Sequence, residues 1–223
     1  MGDSTEKAGD GEFEFSDGSP ENNLSDEEAN ALAESLVSGC FSDYEAAKRD
    51  RAEEVKHEFE RNKAQILELI KQPDAVVVKE NGKIIGVGDV AHVTCPDYMG
   101  RPVCIFRNGT VLPECRGLKI FSRMADLLIE KGKRIYPPNA IFTVCTRNPI
   151  VKETFKKRGY NEISLSDFDT MTQLSPKSEE ELERRMANEK DGWCVLISDS
   201  VPITKRVGRV RGLVGHVLSK FRH

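Results

Sequence analysis

A turn between two apolar segments carries the residues best suited to bind an anion. Arg116 and Gly117 follow the apolar stretch that ends at Leu112, and an amphipathic helix is predicted immediately after them. The first backbone N–H groups of a helix lack partners within it, and the helix dipole adds about half a positive charge at that end. The turn therefore predicts a site for a phosphate or pyrophosphate group. The alternative is an ordinary strand-to-helix turn that binds nothing.

Proton transfer would fall to Asp89 or His92, which lie three residues apart on a predicted strand. Side chains alternate between the two faces of a strand, so at most one of the two can point into a given cleft. We expect that residue to act as a base or to relay a proton through water. The alternative is that Asp89 faces solvent and His92 is packed in the core.

The cysteines predict free thiols. They are widely spaced, no two form a C-x-x-C pair, and several lie within apolar segments: Cys40, Cys95, Cys104, Cys115, Cys145 and Cys194. This pattern is typical of a reducing compartment and indicates neither a disulfide framework nor a zinc site. Cys115 lies in the anion-binding turn and is a candidate nucleophile, but no histidine partner accompanies it.

Caps and apolar spacing predict helices in the first third of the chain. Residues 12–15 alternate as a short strand, and Ser25 opens a first helix with a capping box. A second capping box at Ser42 opens a long charged helix to Lys71, which we expect to be interrupted.

The rest of the chain predicts strands joined by short turns, with further helices between them. Asn81-Gly82 between two β-branched segments indicates a hairpin, and Asn108-Gly109 within the next strand predicts a β-bulge. Asn148-Pro149 predicts the start of a helix after the apolar strand 141–145, and a strand over 193–197 closes the order. This order predicts an α/β fold with a mixed sheet.

The element order and two separated motifs resemble the GNAT superfamily of acyl-CoA-dependent N-acyltransferases. The first motif is Val111–Gly117, and the second runs from Asn148 to Gly159-Tyr160, with the family's seven-residue step between Asn148 and Phe155. The resemblance spans residues 12–200. It implies a GNAT-like fold, with a mixed, mostly antiparallel sheet flanked by helices.

The resemblance further implies that the cofactor is acetyl-CoA and that an acetyl group moves to a primary amine by direct attack. Asp89 and His92 would then be the catalytic residues, one of which assists deprotonation of the amine. The identity of the acceptor amine stays open. The implied cofactor-binding residues are Val111, Leu112, Arg116, Gly117, Leu118, Lys119, Ile120, Phe121, Ser122, Asn148 and Phe155.

Three positions depart from the family pattern. Lys119 and Phe121 stand where the family has glycine, which lets a phosphate approach the backbone. Lys119 could compensate with its charge, and Phe121 could equally turn inward as core. Phe155 stands where many members have the tyrosine that protonates the leaving thiolate. One alternative function is therefore a GNAT-fold binding module with weak or no catalysis, and another is a scaffold whose basic tail is the functional part.

Charge is concentrated at the two ends of the chain. The net charge of −4 combines ten acidic residues and one lysine in residues 1–30 with six basic residues and no acid in residues 203–223. We expect a disordered acidic head over 1–11, one acyltransferase domain over 12–200 and a basic amphipathic tail over 201–223. The tail is predicted to contact its own domain, an anionic membrane or nucleic acid, or the acidic head. With no apolar segment of membrane-spanning length and no signal peptide, we expect a cytoplasmic protein without a transmembrane segment.

Overall fold

The computed structural model describes residues 4–8, 11–41, 43–92, 100–172 and 192–198. Its strands are β1 (Ser4–Ala8), β2 (Gly11–Asp17), β3 (Ala75–Glu80), β4 (Lys83–His92), β5 (Val103–Val111), β6 (Ile141–Thr146), β7 (Asn161–Ile163) and β8 (Cys194–Ile197). Its α-helices are α1 (Asp26–Ser38), α2 (Tyr44–Asp50), α3 (Ala52–Leu69), α4 (Ile120–Ile135), α5 (Pro149–Lys156) and α6 (Leu165–Thr172).

The strands form one sheet in the order β1-β2-β3-β4-β5-β6-β8-β7. Neighbouring strands are antiparallel except for β5 and β6, which run parallel. Thr110 of β5 contacts α1 whereas the neighbouring Gly109 contacts α4, so these two helices cover opposite faces of the sheet. The predicted fold class, a mixed and mostly antiparallel sheet flanked by helices, is confirmed.

Local sequence signals account for the hairpin turn, the bulge and the helix break. Asn81 and Gly82 adopt φ angles of 50° and 80°, the left-handed pair that a type I′ turn requires. Across the predicted bulge β5 uses one more residue than β4, and Asn108 there has a φ of 54°. The interruption of the long helix falls at Arg51, whose φ of −133° and ψ of 39° separate α2 from α3.

The N-terminal expectations need correction. Residues 4–8 were expected to be disordered, but they form β1, which pairs with β2 over its whole length. Backbone hydrogen bonds between strands do not depend on apolar side chains, so a polar segment can extend a sheet whose next strand is anchored by the buried Phe13 and Phe15. The N-cap of α2 is Asp43, whose carboxylate accepts a hydrogen bond from the Ala46 N–H at 2.9 Å. Ser42, the expected cap, lies outside the described residues. The basic tail over 201–223 lies outside the described residues.

One apolar core joins the sheet to α1 and α4. Within it the ring of Phe106 stacks on those of Phe142 and Phe155, each with a centroid separation of 5.7 Å. Lys131 of α4 is buried, and its ammonium donates to the carbonyls of Pro73 and Ala75 at 2.8 and 2.6 Å. This lysine fixes α4 against the start of β3. In the described part of the chain, every helix is too short or too polar to cross a bilayer.

Candidate functional site

The sheet opens where its two parallel strands separate. β5 and β6 pair over four residues, the last pair being Phe106 with Val144, and both strands then continue apart. A cavity of about 450 Å³ fills this opening between α1, α4 and α5. Small-molecule sites have volumes in this range and commonly lie at the carboxyl ends of parallel strands. The opening is therefore the candidate site.

Most of the predicted cofactor-binding residues line this cavity. They are Val111, Arg116, Gly117, Lys119, Ile120, Phe121, Ser122, Asn148 and Phe155. Leu112 is instead buried in the core, and Leu118 is exposed at the surface, so these two predicted contacts do not line the cavity. The two sequence motifs thus meet around one space.

The start of α4 is suited to bind an anion. Gly117 and Lys119 both have left-handed backbone, with φ angles of 87° and 60°. No side chain caps the helix that follows, and its first residues, Ile120 to Ser122, line the cavity. Their N–H groups are therefore available to a ligand. Lys119 holds a backbone conformation that glycine adopts without strain, which explains why a glycine suits this position.

Phe121, the other departure from the glycine pattern, packs inward. Its ring lies on the bulge of β5, where a Cβ placed on Gly109 would come within 3.3 Å of Phe121 Cε2. The side chain is half-buried and forms part of the cavity wall. Phe121 therefore narrows the cavity on its α4 side while leaving the N–H groups of the helix start in place.

Arg158 links α4 to α5 beside the anion-binding turn. Its guanidinium donates to both carboxylate oxygens of Asp126 at 2.7 and 2.8 Å, and to the carbonyl and hydroxyl of Ser122 at 2.8 and 2.9 Å. It also donates to the carbonyl of Thr154 at 2.6 Å. These charge-assisted bonds fix the first turn of α4 against α5, whose Phe155 lines the cavity. Sequence reasoning missed this role, because a basic residue at a helix end signals only a dipole interaction.

Ser35 of α1 organises the opposite wall. Its buried hydroxyl donates to the carbonyl of Val111 at 2.9 Å and accepts from the Thr110 hydroxyl and the Arg116 guanidinium, each at 3.0 Å. The side chain of Arg116 therefore points towards α1, although its backbone belongs to the anion-binding turn. A serine on the inner face of a helix carries no motif signal, so the sequence did not reveal it.

Asp89 is a buried ion-pair partner. Its carboxylate accepts from Nε and Nη2 of Arg107 at 2.9 and 2.6 Å and from the amide of Asn108 at 3.4 Å. Burial raises the pKa of this carboxyl above its ordinary value, although the charge and hydrogen bonds of Arg107 oppose the shift. Arg107 and Asn108 line the cavity whereas Asp89 does not. Asp89 thus holds two residues of the cavity wall in place without lining the cavity itself.

His92 lies at the other end of the strand pair. It is exposed at the end of β4, with its ring 6.5 Å from that of Tyr136, and pairs with Cys104 of β5. The cavity begins only at Phe106 and extends away from this end. Neither predicted catalytic residue therefore lines the cavity, since Asp89 is enclosed by its ion pair and His92 lies farther along the strand, and their catalytic role stays a prediction.

The titratable side chains of the wall, within the part of the chain that the structure describes, are three cations and three thiols. They are Arg107, Arg116, Lys119, Cys40, Cys115 and Cys145. Burial raises the pKa of all three thiols, that of Cys145 to about 12, so they remain protonated at neutral pH and are poor nucleophiles. The described cysteines are free, as predicted, and Cys95 lies outside the described residues.

Comparison with known proteins gives similarity of structure only. No family model matches the chain, and no curated protein matches it. The chain resembles PH1933 from Pyrococcus horikoshii OT3, with a TM-score of 0.51 and 17% identity over 85% of this chain and 99% of that one. At this identity the likeness concerns the fold.

Two acetyltransferase structures align less closely. N-acetylglutamate synthase from Neisseria gonorrhoeae, complexed with coenzyme A and N-acetyl-glutamate, gives a TM-score of 0.46 and 13% identity, covering 83% of this chain and 34% of that one. Glucosamine-6-phosphate N-acetyltransferase from Arabidopsis thaliana gives a TM-score of 0.40 and 17% identity, covering 69% of this chain and 94% of that one.

Proposed function

We propose that this protein is an acyl-CoA-dependent N-acetyltransferase, which moves an acetyl group from coenzyme A to a primary amine by direct attack. The observation that carries the proposal is the cavity between the separating ends of β5 and β6. It brings both GNAT-like motifs to one space, beside a helix start that no side chain caps.

The wall residues fit coenzyme A. The N–H groups at the start of α4, with the Lys119 ammonium, suit a pyrophosphate. A Cβ placed on Gly117 would meet no heavy atom within 4 Å, so the backbone there has open space for a ligand. Beyond Phe106 the edge of β5 has no strand partner on the β6 side among the described residues, which leaves backbone groups for an extended chain such as the pantetheine arm.

The described residues of the cavity wall supply positive charge but no carboxylate or histidine that could deprotonate the amine. Acetyl-CoA provides an acetyl thioester whose thiol is the leaving group. A lysine-type amine has a pKa of about 10.4, so its neutral form costs about 4.6 kcal/mol at pH 7. Arg107 and Arg116 disfavour a further positive charge nearby and so lower the pKa of an ammonium bound in the cavity. Water can then accept the proton.

Phe155 cannot protonate the leaving thiolate. It is buried between the rings of Phe106 and Tyr160, at centroid distances of 5.7 and 5.2 Å, and has no hydroxyl. The first turn of α5 also lines the cavity through Asn148 and Ile150. The positive end of this helix dipole stabilises a thiolate next to it, and water completes the proton transfer.

Calorimetric titration with acetyl-CoA and with free coenzyme A tests the cofactor half of the proposal. We expect both to bind and to stabilise the fold by about 2.7 kcal/mol at a hundredfold excess over Kd. Lys119→Glu should weaken binding far more than Lys133→Glu, its matched control in the last turn of α4. Equal effects would show that Lys119 is solvated surface, and the absence of any thermal shift at millimolar cofactor would refute the site.

The buried Phe155 favours a second candidate, a binding module that holds acetyl-CoA without transferring its acetyl group. Release of free thiol distinguishes the two candidates. An enzyme releases free thiol from acetyl-CoA when an amine acceptor is added, whereas a binding module gives the same calorimetric signal with no thiol release.

A further inference from the structure

We infer that the acceptor of the proposed reaction is a small amine that carries a carboxylate, which Arg107 and Arg116 bind on the α1 side of the cavity. The simplest such acceptor is an amino acid. The inference rests on the proposed function and adds the chemical class of its acceptor.

Strand register places the two guanidinium groups on one side. Arg107 and Thr110 project from the same face of β5, because their partners on β4 lie two residues apart. The Thr110 hydroxyl and the Arg116 guanidinium both donate to Ser35 of α1, each at 3.0 Å. Both arginines therefore belong to the wall that α1 covers, whereas the anion-binding start of α4 forms the other wall.

Each guanidinium keeps donors for a ligand. Arg107 uses Nε and Nη2 on one oxygen of Asp89, and its side chain is still 51% exposed. Arg116 uses Nη2 on Ser35, and no salt bridge engages it in the described part of the chain. A guanidinium has five N–H donors in a planar fork that matches a carboxylate. Two such forks on the same wall offer free donors to the carboxylate of an acceptor.

Ser35 acts as a fixed support. Its one O–H donates to Val111, and both lone pairs accept from Thr110 and Arg116. A hydroxyl has no further capacity once these bonds are made. Ser35 therefore holds Arg116 in place and leaves recognition of the acceptor to the guanidinium.

The charge of the wall opposes a polycationic acceptor. The described lining residues include no aspartate, glutamate or histidine. A polyamine or lysine-rich segment needs acids to offset its charge, and like charges placed together cost binding energy. The cofactor phosphates and the acceptor carboxylate would meet different walls, so the two anions do not compete for one site.

An acceptor panel tests the inference. Release of free thiol from acetyl-CoA is measured with a mixture of free amino acids, with the matching mixture of amino acid amides, and with spermidine. We expect release at least tenfold faster with the free amino acids, although the less basic amides present more neutral amine. Faster release with amides or spermidine overturns the inference. So does the absence of release from every member, and calorimetry then shows separately whether acetyl-CoA binding, and with it the proposed function, survives.

Variants identify the residues responsible. Arg116→Gln should raise KM for the free amino acids at least tenfold and abolish the preference over amides. Arg107→Lys keeps a charge for the buried Asp89 but loses the fork, and should raise the same KM. Arg61→Gln, which alters an exposed arginine of α3, is the control. If Arg116→Gln keeps the preference for free amino acids, Arg116 does not bind the carboxylate and the inference fails.

Discussion

Lys119 combines a charge that a phosphate would use with a backbone conformation that suits glycine. Its φ of 60° lies in the left-handed region, which costs a non-glycine residue about 1 kcal/mol. Lys119→Gly should therefore raise the free energy of unfolding by up to about 1 kcal/mol and weaken coenzyme A binding. Lys119→Ala removes the charge but keeps the strain, so it should weaken binding without stabilising the fold. Urea denaturation and calorimetry measure the two effects, and equal stability of the two variants would contradict this account.

Burial of the Cys145 thiol should make the stability of the fold depend on pH in the alkaline range. Its pKa is raised by burial from 9.0 to about 12, so the folded protein keeps a proton that the unfolded chain loses. Stability contributed by this thiol is therefore full below pH 9 and falls as the pH rises towards 12. Cys145→Ala should flatten this fall, as measured by denaturation at pH 8 and pH 10. Iodoacetamide should also modify folded Cys145 slowly at both pH values, and rapid labelling at pH 8 would show a lower pKa.

Substitutions of Asp89 and His92 test whether these residues take part in catalysis or only support the structure. Asp89→Asn removes the charged partner of Arg107, whose side chain is 51% exposed, so solvent offsets part of the loss and we expect a cost of about 1–3 kcal/mol. We expect the variant to lose stability without moving the pKa seen in the dependence of rate on pH. His92→Gln, at the exposed end of β4, should change neither property. A shift of the rate profile in either variant would restore that residue as a proton acceptor.

Arg158 ties together α4 and α5, two of the helices that border the cavity. Arg158→Met keeps the length of the side chain but removes its hydrogen bonds to Asp126, Ser122 and Thr154. We expect a loss of about 1–3 kcal/mol of stability and a raised KM for acetyl-CoA, because the helix start shifts. Lys157→Met breaks only an exposed pair on the same helix end and should cost under about 0.5 kcal/mol. Thermal unfolding and steady-state kinetics provide both values, and similar effects would remove Arg158 from the site.

The elements that could be predicted from the sequence are those whose conformation depends on their own and neighbouring residues. Asn81-Gly82 forms its turn and Asn108 its bulge because the conformations of these residues depend on their own φ preferences. β1 had no such signal, since its pairing with β2 uses backbone groups of any sequence. The separation of β5 from β6 was equally hidden, because it depends on two strands that are thirty residues apart in the chain.

In the candidate site too, residues with a local sequence signal were predicted and residues that depend on distant partners were missed. Arg116, Gly117 and Asn148 were found because they belong to turns and caps whose spacing can be read directly. Ser35 and Arg158 were missed because each acts through a partner far along the chain, at a separation of 81 and 36 residues. Asp89 was found but assigned the wrong environment, since its burial depends on helices that pack over β4.

The role of the basic tail, residues 203–223, is predicted from the sequence alone. Valines and a phenylalanine recur at steps of three and four between Val207 and Phe221, and three glycines in the same segment each cost about 0.8–1 kcal/mol in a helix. If the tail binds an anionic surface, it should become helical on vesicles of anionic lipid or on DNA and release both as salt rises, whereas the alternative partners are its own domain and the acidic head. Circular dichroism of the tail peptide and sedimentation of the full chain test this. If deleting residues 203–223 destabilises the domain without any salt-dependent binding, the tail is structural.

The short parallel contact between β5 and β6 has a mechanical consequence. Four residue pairs are all that join β1–β5 to the strands β6, β8 and β7 within the sheet that the structure describes. Under a shearing load few interstrand hydrogen bonds would stop these two groups of strands from sliding past each other. The proposed cofactor would contact both groups of strands in this opening and resist that sliding, so a molecule consumed in each turnover of the proposed reaction would also stiffen the protein.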